Sequence, residues 1–417
     1  MFRPIIIKNK IAVLLYHYLE TFTQLSSVTW LFLFLNLINS ITLTLTFFLS
    51  IYFTEILSFT MPQIGLLLSC YGIGMACGGV IGGKLADCYR PTGIMSASLI
   101  THSFVLLSLC YLTHYIILLL VLFIFGLSAY IFKTVNHYIL IKLEENNPPK
   151  QFKIINLAHV ASNLGLCFGG MILGFMTAAD FMPLFIMTSM LCALIAIYLW
   201  QQKTEFVMIA TATISKINER KANRFMLTIL LLMVFMLSLL IAQLGTTYPI
   251  YIIKHFPTLG QKAVGILFTL DTVLIVLCQT ALLQASKHIN PFVIIGVGAL
   301  SLGLGLAGLN IASEFYLAVL FGVIWTMGEM LFIPSIQLLC CYYGDQTKTG
   351  FTIGSFQSVF ALSMIVGPAL GSYLYAFDEG WLLWALSGCL GVTWCAISVY
   401  LARCINDTYW RSSQNSA

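Results

Sequence analysis

The sequence predicts an all-α polytopic membrane protein whose twelve transmembrane helices form two pseudo-symmetric six-helix bundles. Three observations predict this architecture: a composition poor in charge, twelve apolar runs of bilayer-spanning length, and an internal repeat. Of 417 residues, 59% are hydrophobic and only 8% are Asp, Glu, Lys or Arg, whereas a soluble domain carries about 25% charged residues. The chain therefore cannot cover a water-facing surface, and we expect a lipid bilayer around it and no nucleic acid partner.

The apolar runs set the number of helices and the domain boundaries. A helix needs about 20 apolar residues to cross the hydrocarbon core. Segments of that length, bounded by charge, Pro or Gly, are 27–54, 62–83, 93–113, 115–142, 153–177, 182–200, 225–250, 264–285, 291–311, 315–342, 351–376 and 380–402. The domains that follow are a cytoplasmic N-terminal segment 1–26, an N-terminal bundle 27–200, a cytoplasmic linker 201–224, a C-terminal bundle 225–403 and a cytoplasmic tail 404–417.

The basic residues predict the orientation. With the N-terminus inside, all but three of the 20 Lys and Arg residues fall on the cytoplasmic side of the twelve spans. The exceptions are Lys254 and Lys262 outside and Lys133 within a span. Because cytoplasmic loops are enriched in Lys and Arg, we expect both termini in the cytoplasm.

Two pairs of segments indicate that the bundles arose by duplication. IGLLLSCYG at 64–72 aligns with VGILFTLDT at 264–272, and NLGLCFGGMILG at 163–174 aligns with ALSMIVGPALGS at 361–372. The shifts, 200 and 198 positions, are nearly equal and close to half of the chain. Duplicated bundles that meet at a midplane site are a transporter architecture.

The loop between the second and third spans carries a family motif. GGKLADCYRPTG at 82–93 holds Gly83, Leu85, Ala86 and Asp87 in the order G-x-L-A-D. It resembles the G-x-L-A-D-R-x-G-R-R loop of the Major Facilitator Superfamily, without the first Arg and the closing basic pair. The resemblance covers 27–402 and implies the fold of that superfamily.

The resemblance also implies a function for this loop. In the family, the aspartate contacts the start of the eleventh helix, here near 350–352, where a carboxylate is favoured by a helix N-terminus. Gly83, Asp87 and Arg90 would then form a conformational latch that holds the cytoplasmic side shut. The alternative is that these charges only set topology in a tight turn.

A glycine pattern in the fifth span resembles the G-x-x-x-G-P-x-x-G-G motif of proton antiporters. The resemblance favours the bacterial twelve-helix drug and metabolite efflux group, which implies a bacterial inner (plasma) membrane. The alternative is ordinary close packing between the halves. The residues of this helix-packing motif are Gly165, Gly169, Gly170 and Gly174, with Gly367, Pro368 and Gly371 in the eleventh span.

Three ionisable residues lie well inside predicted spans: Lys133, Asp271 and Glu329. Such residues cost about 2.5 to 3.5 kcal/mol each at a helix centre and are functional candidates by default. We expect them to form a proton-coupling or charge relay, with Lys133 and Glu329 facing each other across a central cavity. The alternatives are structural, with Glu329 capping the helix break at Pro334 and Asp271 held by a hydrogen bond.

Other polar and aromatic residues lie on spans that line the cavity in the family. Our candidates for substrate contacts are Asn36, Asn39, Asn136, Gln243 and Trp325.

The function predicted is secondary active transport of a small organic molecule by alternating access, as proton-coupled export. The alternatives are proton-coupled import of a peptide, amino acid or siderophore-like metabolite, and a transport-inactive receptor. An enzyme is not expected, because the seven histidines are scattered and no catalytic cluster is evident. The sequence contains no nucleotide-binding phosphate loop. We therefore expect no cofactor, no metal, the proton gradient as energy source, and a monomer.

Overall fold

The computed structural model describes residues 25–144, 148–174, 181–201, 222–286 and 289–404. Twelve long helices in these ranges are apolar enough to cross a membrane, which confirms the predicted fold class. They are α1 Ser27–Glu55, α2 Met61–Cys88, α3 Pro91–Leu109, α4 Tyr115–Lys142, α5 Pro148–Gly174, α6 Phe181–Gln201, α7 Arg224–Leu244, α8 Gln261–Ala285, α9 Pro291–Ala307, α10 Phe315–Tyr343, α11 Thr349–Asp378 and α12 Trp381–Cys404. Most of the predicted N-terminal segment, linker and tail lies outside the described residues, so the domain boundaries stay a prediction.

Local sequence explains where the helices begin. The Ser26 hydroxyl accepts the Thr29 backbone N–H at 3.1 Å before α1, and Asn223 accepts the Met226 N–H at 3.0 Å before α7. Pro91 and Pro291 occupy the first positions of α3 and α9, where a missing N–H costs nothing. These caps satisfy backbone donors that a helix start leaves unpaired.

One predicted span is interrupted. The run 225–250 was expected to be continuous, but α7 ends at Leu244 and a separate short helix follows at Thr247–His255. Pro249 has no N–H to continue the helix, and the preceding Gly245 caps α7. The lipid-spanning part of this segment is therefore shorter than its apolar run.

The two halves repeat the same packing. In the first half, α1 packs on α5, α2 on α4, and α3 on α4 and α6. In the second half, α7 packs on α11, α8 on α10, and α9 on α10 and α12. The pairs correspond one to one when six is added to each helix number, which agrees with the duplication read from the sequence.

Each half contains a hydrophobic core of its own, and large apolar side chains also face outwards. Phe53 and Leu106 are buried in the first half, and Trp384 is fully buried in the second. Phe104 and Tyr400 expose about two thirds of their side-chain surface, at 68% and 66%. Exposed apolar residues on every side are expected of helices that face lipid.

The halves meet along α2 with α11, α5 with α8 and α10, and α4 with α11. At the end of the molecule where α2 stops and α11 starts, Ile141, Ile155, Leu338 and Ile353 form one buried cluster from both halves. We call these four residues the end plug. The structure is therefore closed at this end.

Three glycines on the inter-half helices lie beside open space. A Cβ added at Gly65 of α2, Gly170 of α5 or Gly265 of α8 would meet no atom within 4 Å.

Candidate functional site between the two halves

The candidate site is built around Glu329, near the middle of α10. Its carboxylate lies 3.5 Å from Nε2 of His159 on α5, and the His159 and Glu329 side chains are only 12% and 10% exposed. α5 and α10 belong to different halves, so this acid–base pair bridges them. Sequence analysis found Glu329 but missed His159.

The neighbours of His159 indicate its protonation pattern. Nδ1 lies 3.0 Å from Oε1 of Gln279 on α8 and donates to it, while the Asn163 amide approaches Nε2 at 3.3 Å as a donor. A neutral imidazole with its proton on Nδ1 satisfies both contacts, because one ring nitrogen then donates and the other accepts. In this tautomer Nε2 can take a proton from Glu329.

Asp271 on α8 is the second acid of the site. Its Oδ1 accepts a hydrogen bond from the Thr326 hydroxyl of α10 at 2.9 Å. Asp271 lies close enough to Glu329 for their charges to interact. Two neighbouring carboxylates repel each other strongly in a medium of low dielectric.

The structure does not form the hypothesised pair between Lys133 and Glu329. The Lys133 ammonium lies 4.9 Å from the centroid of the Tyr130 ring and 5.8 Å from that of Phe360. The physical reason is direction: Lys133 on α4 reaches towards α11, whereas Glu329 on α10 is turned towards α5. Sequence position indicated how far along their helices these charges lie, but not which face of each helix carries them.

A second polar contact between the halves joins His137 of α4 to Gln337 of α10. Nε2 of Gln337 lies 3.1 Å from Nδ1 of His137, and both residues are buried. The two positions are separated by 200 residues, the same shift that relates the repeats. Sequence analysis missed both, although the repeat shift and the presence of histidine inside a span were usable signals.

Asp87 makes the contact that the family resemblance implies. Its two carboxylate oxygens accept the backbone N–H groups of Gly350 at 2.7 Å and Phe351 at 2.8 Å, at the start of α11. Gly83 allows the approach, because a Cβ there would collide with the Gly350 carbonyl. Arg90 is the residue that precedes α3. The action of this contact as a latch stays a prediction.

The helix-packing glycines lie within the halves rather than between them. A Cβ at Gly165 or Gly169 would strike α1, and one at Gly367 or Gly371 would strike α7. Gly170 has open space instead, Gly174 ends α5, and Pro368 lies inside α11. Close packing within each half is therefore what the structure gives this motif.

The candidates for substrate contacts are placed mostly between helices of one half. Three of them donate to backbone carbonyls: Asn36 to Ala158 at 2.7 Å, Asn136 to Phe32 at 3.2 Å, and Gln243 to Gly367 at 2.8 Å. These hydrogen bonds supply a structural reason for each side chain.

Asn39 and Trp325 have different surroundings. Asn39 borders a cavity of about 10 Å³ inside the first half, together with His102 and Ser128, which is room for about one water molecule. Trp325 is 2% exposed and packs edge-on against Tyr248 at 6.4 Å between ring centroids. Contact of any of the five with a substrate stays a prediction.

No group of three or more His, Cys, Asp or Glu side chains that could hold a metal ion occurs among the described residues. The site between the halves is an arrangement of acids, imidazoles and amides.

Two six-helix bundles with a buried acid–base pair at their interface define a membrane transporter that works by alternating access. The chain belongs to the Major Facilitator Superfamily, whose family model matches residues 29–368. It is an integral, multi-pass membrane protein, and the family and fold are those of transporters rather than enzymes.

Individual relatives are distant. A Bacillus subtilis (strain 168) protein described as the uncharacterized MFS-type transporter YqjV is 20% identical, over 83% of this chain and 86% of that protein. The human organic anion transporter MFSD10 (TETRAN) is similar in structure, with a TM-score of 0.65 and 14% identity over 89% of this chain and 97% of that one. The proton:xylose symporter XylE, bound to 6-bromo-6-deoxy-D-glucose, gives a TM-score of 0.66 and 12% identity over 94% and 97%. These identities establish the fold alone.

Proposed function

We propose that the chain is a proton-coupled secondary transporter that exports a small organic molecule across the bacterial inner membrane, as a monomer and without a bound cofactor. The observation that carries the proposal is the buried contact of Glu329 with His159, 3.5 Å across the two halves. The charge of this pair changes with protonation, and the pair lies where the two halves must move apart. Protonation and movement are therefore linked. The cargo stays open at this level, because the similar solved structures are described as an organic anion transporter and a xylose symporter.

Coupling follows from the charge states of the pair. A carboxylate on Glu329 attracts a protonated His159, and a proton shared between them also holds α5 against α10. When a further proton binds to the Glu329 carboxylate of this ion pair, a neutral carboxyl lies beside a protonated His159 and only a weaker hydrogen bond remains. Proton binding therefore loosens the interface that must open during transport.

With cytoplasmic termini, the end plug and Asp87 lie on the cytoplasmic side, so the structure is closed towards the cytoplasm. The proton from outside would then reach Glu329 first, which fits an exchanger that takes up a proton before it reopens to the cytoplasm. The antiporter-like glycines of α5 support export over import.

The test uses purified protein in proteoliposomes with a pH-sensitive dye and a panel of amino acids, dipeptides, dyes and antibiotics. We expect a cargo from the panel to drive proton movement in the wild type and not in Glu329→Gln, which keeps the size but not the charge. Asp271→Asn should reduce the flux. Antiport is recognised by cargo and protons moving in opposite directions, whichever way the protein is inserted.

Glu379→Gln is the matched control. Glu379 lies outside the spans and accepts a hydrogen bond from the Lys254 ammonium at 2.7 Å, which lowers the pKa of the Glu379 carboxyl. The Glu379 carboxyl is therefore charged at neutral pH, so Glu379→Gln also removes a carboxylate charge. This change should leave proton flux as it is in the wild type. Cargo-driven flux in Glu329→Gln equal to that of the wild type contradicts the proposal.

A further inference from the structure

Lys133 is a cation inside the membrane, and no acid lies beside it in the part of the chain that the structure describes. It lies on α4, partly buried, and within the described parts of the chain no carboxylate oxygen is within 4.0 Å of its ammonium. The Lys133 ammonium instead lies over the rings of Tyr130 and Phe360. Aromatic faces attract a cation but compensate less of its desolvation than an anion does.

The acids of the same region are engaged elsewhere. Glu329 contacts His159 of α5, and Asp271 accepts the hydroxyl of Thr326. The membrane interior of the structure therefore has a cation that is short of an anion, although the chain places two carboxylates at similar depth. An ionisable residue inside the membrane normally has a partner or faces a pathway.

A hydrogen-bond donor near Lys133 also lacks an acceptor. His137 is one helical turn further along α4, on the same face and close enough for its charge to interact with that of Lys133. Nδ1 of His137 accepts from the Gln337 amide, so Nε2 carries the proton, and Nε2 is buried with no hydrogen-bond partner among the described residues. An ammonium and an N–H therefore both lack an anionic oxygen.

The position of Tyr130, Lys133 and Phe360 favours a role in binding cargo over a purely structural role. Tyr130 and Lys133 belong to α4 in the first half, and Phe360 belongs to α11 in the second. A ligand held by these three residues would touch both halves at once, as the cargo of an alternating-access transporter must. The two rings would contact an apolar part of the ligand beside its charged group.

We propose that the cargo is a small organic anion, a carboxylate with an apolar or aromatic portion, and that Lys133 is its counter-charge between Tyr130 and Phe360. Nε2–H of His137 donates a hydrogen bond to the same carboxylate. The inference rests on the proposed transport function and narrows its substrate to one charge class.

The experiment measures binding to detergent-purified full-length protein by the shift of its melting temperature. The ligands are benzoate, phenylacetate, succinate and citrate, each beside the neutral amide of the same skeleton. Small-molecule extract of the host cells, separated by ion exchange into anionic, neutral and cationic fractions, is tested in parallel. The variants are Lys133→Gln and Lys133→Arg, with Lys254→Gln as control, because the Lys254 ammonium pairs with Glu379 outside the spans.

We expect the anionic fraction and at least one carboxylate to stabilise the wild type, and the amides and the other fractions to leave it unchanged. Lys133→Gln should weaken this binding about tenfold or more, as loss of a charge-assisted hydrogen bond does. Lys133→Arg should restore part of it, and Lys254→Gln should match the wild type. Partial rescue by Arg separates charge recognition from a packing role, and His137→Phe should weaken binding while Lys133 is intact.

Two results overturn the inference: no stabilisation of the wild type by the anionic fraction, or stabilisation that Lys133→Gln retains in full. Binding needs no proton gradient, so anion binding without cargo-driven proton flux counts against the proposed coupling alone. Proton-coupled transport of neutral or cationic cargo counts against this inference alone.

Discussion

At the scale of single residues, Asp87 is the carboxylate with the most clearly defined task in the structure. It accepts two backbone N–H groups at the start of α11, where the helix leaves donors unpaired and its dipole favours negative charge. Each hydrogen bond to a charged group contributes about 1.5–3 kcal/mol. The contact joins the two halves at their closed end, so its strength bears directly on the balance between closed and open states.

We expect Asp87→Asn to shift the protein towards opening of this end. The amide of Asn places a donor against one of the two N–H groups, which then loses its acceptor. Spin labels on the adjoining ends of α2 and α11, in a cysteine-free background, should report longer and broader distances by double electron–electron resonance, together with slower transport.

Asp345→Asn is the control for this prediction. Asp345 lies in the turn before α11, where bonds from the Thr347 hydroxyl and backbone lower the pKa of its carboxyl. Neutralising it removes a nearby charge but no contact between the halves. Unchanged distances in Asp87→Asn, or an equal change in Asp345→Asn, would exclude the latch.

At the scale of elements, the close crossing of α2 and α11 depends on glycines, which have no side chain. A Cβ at Gly83 would collide with the Gly350 carbonyl, and one at Gly354 would collide with the Gly79 carbonyl. One turn further along α11, beyond both contacts, the Ser358 hydroxyl donates to the Ala76 carbonyl at 2.6 Å. Small residues that let backbones approach, with a polar bond added, are the usual means of holding helices together in membranes.

Gly83→Ala should therefore destabilise the closed form. The obstructing atom is backbone, which cannot turn aside as a side chain does, and overpacking of this kind costs about 1–3 kcal/mol. We expect a fall of several degrees in the melting temperature of the purified protein and slower transport. Gly65→Ala, on the same helix but with nothing within 4 Å, should behave like the wild type; equal melting temperatures for all three proteins contradict the packing described.

At the scale of the whole molecule, the structure is closed at the end where α2 stops and α11 starts. The end plug combines α4 and α5 of the first half with α10 and α11 of the second. Above it lie the His137–Gln337 contact and the Glu329–His159 pair, so polar contacts between the halves continue from the plug towards the middle of the helices. Alternating access requires all of these contacts to separate together.

Cross-linking tests this requirement. In a cysteine-free background, a short bifunctional thiol reagent on Ile141→Cys with Ile353→Cys should stop transport, because the bridge ties α4 to α11 across the halves. The same reagent on Ile141→Cys with Ile155→Cys joins helices of one half and should leave most of the activity. Transport that survives the cross-half bridge would show that the plug does not open during the cycle.

The site was predictable in part. Glu329 and Asp271 were recognisable because charge is rare inside a span and costly there. Their partners were not, because His159, Gln279 and Thr326 come from three different helices and their meeting depends on helix rotation. Gln243 was expected in the cavity, yet it holds α7 against α11, since an amide inside a bundle serves a backbone carbonyl as readily as a ligand.

The sequence by itself determined the number of membrane helices, the duplication and the family. The lengths of the apolar runs, the spacing of the repeats and the motif around Asp87 can all be read directly along the chain. Tertiary structure alone decided which end is closed and which charges meet. It turned Glu329 towards His159 and left Lys133 between two aromatic rings. The physical reason is that partners in a membrane interior are chosen by helix rotation and inter-half packing, which no single segment encodes.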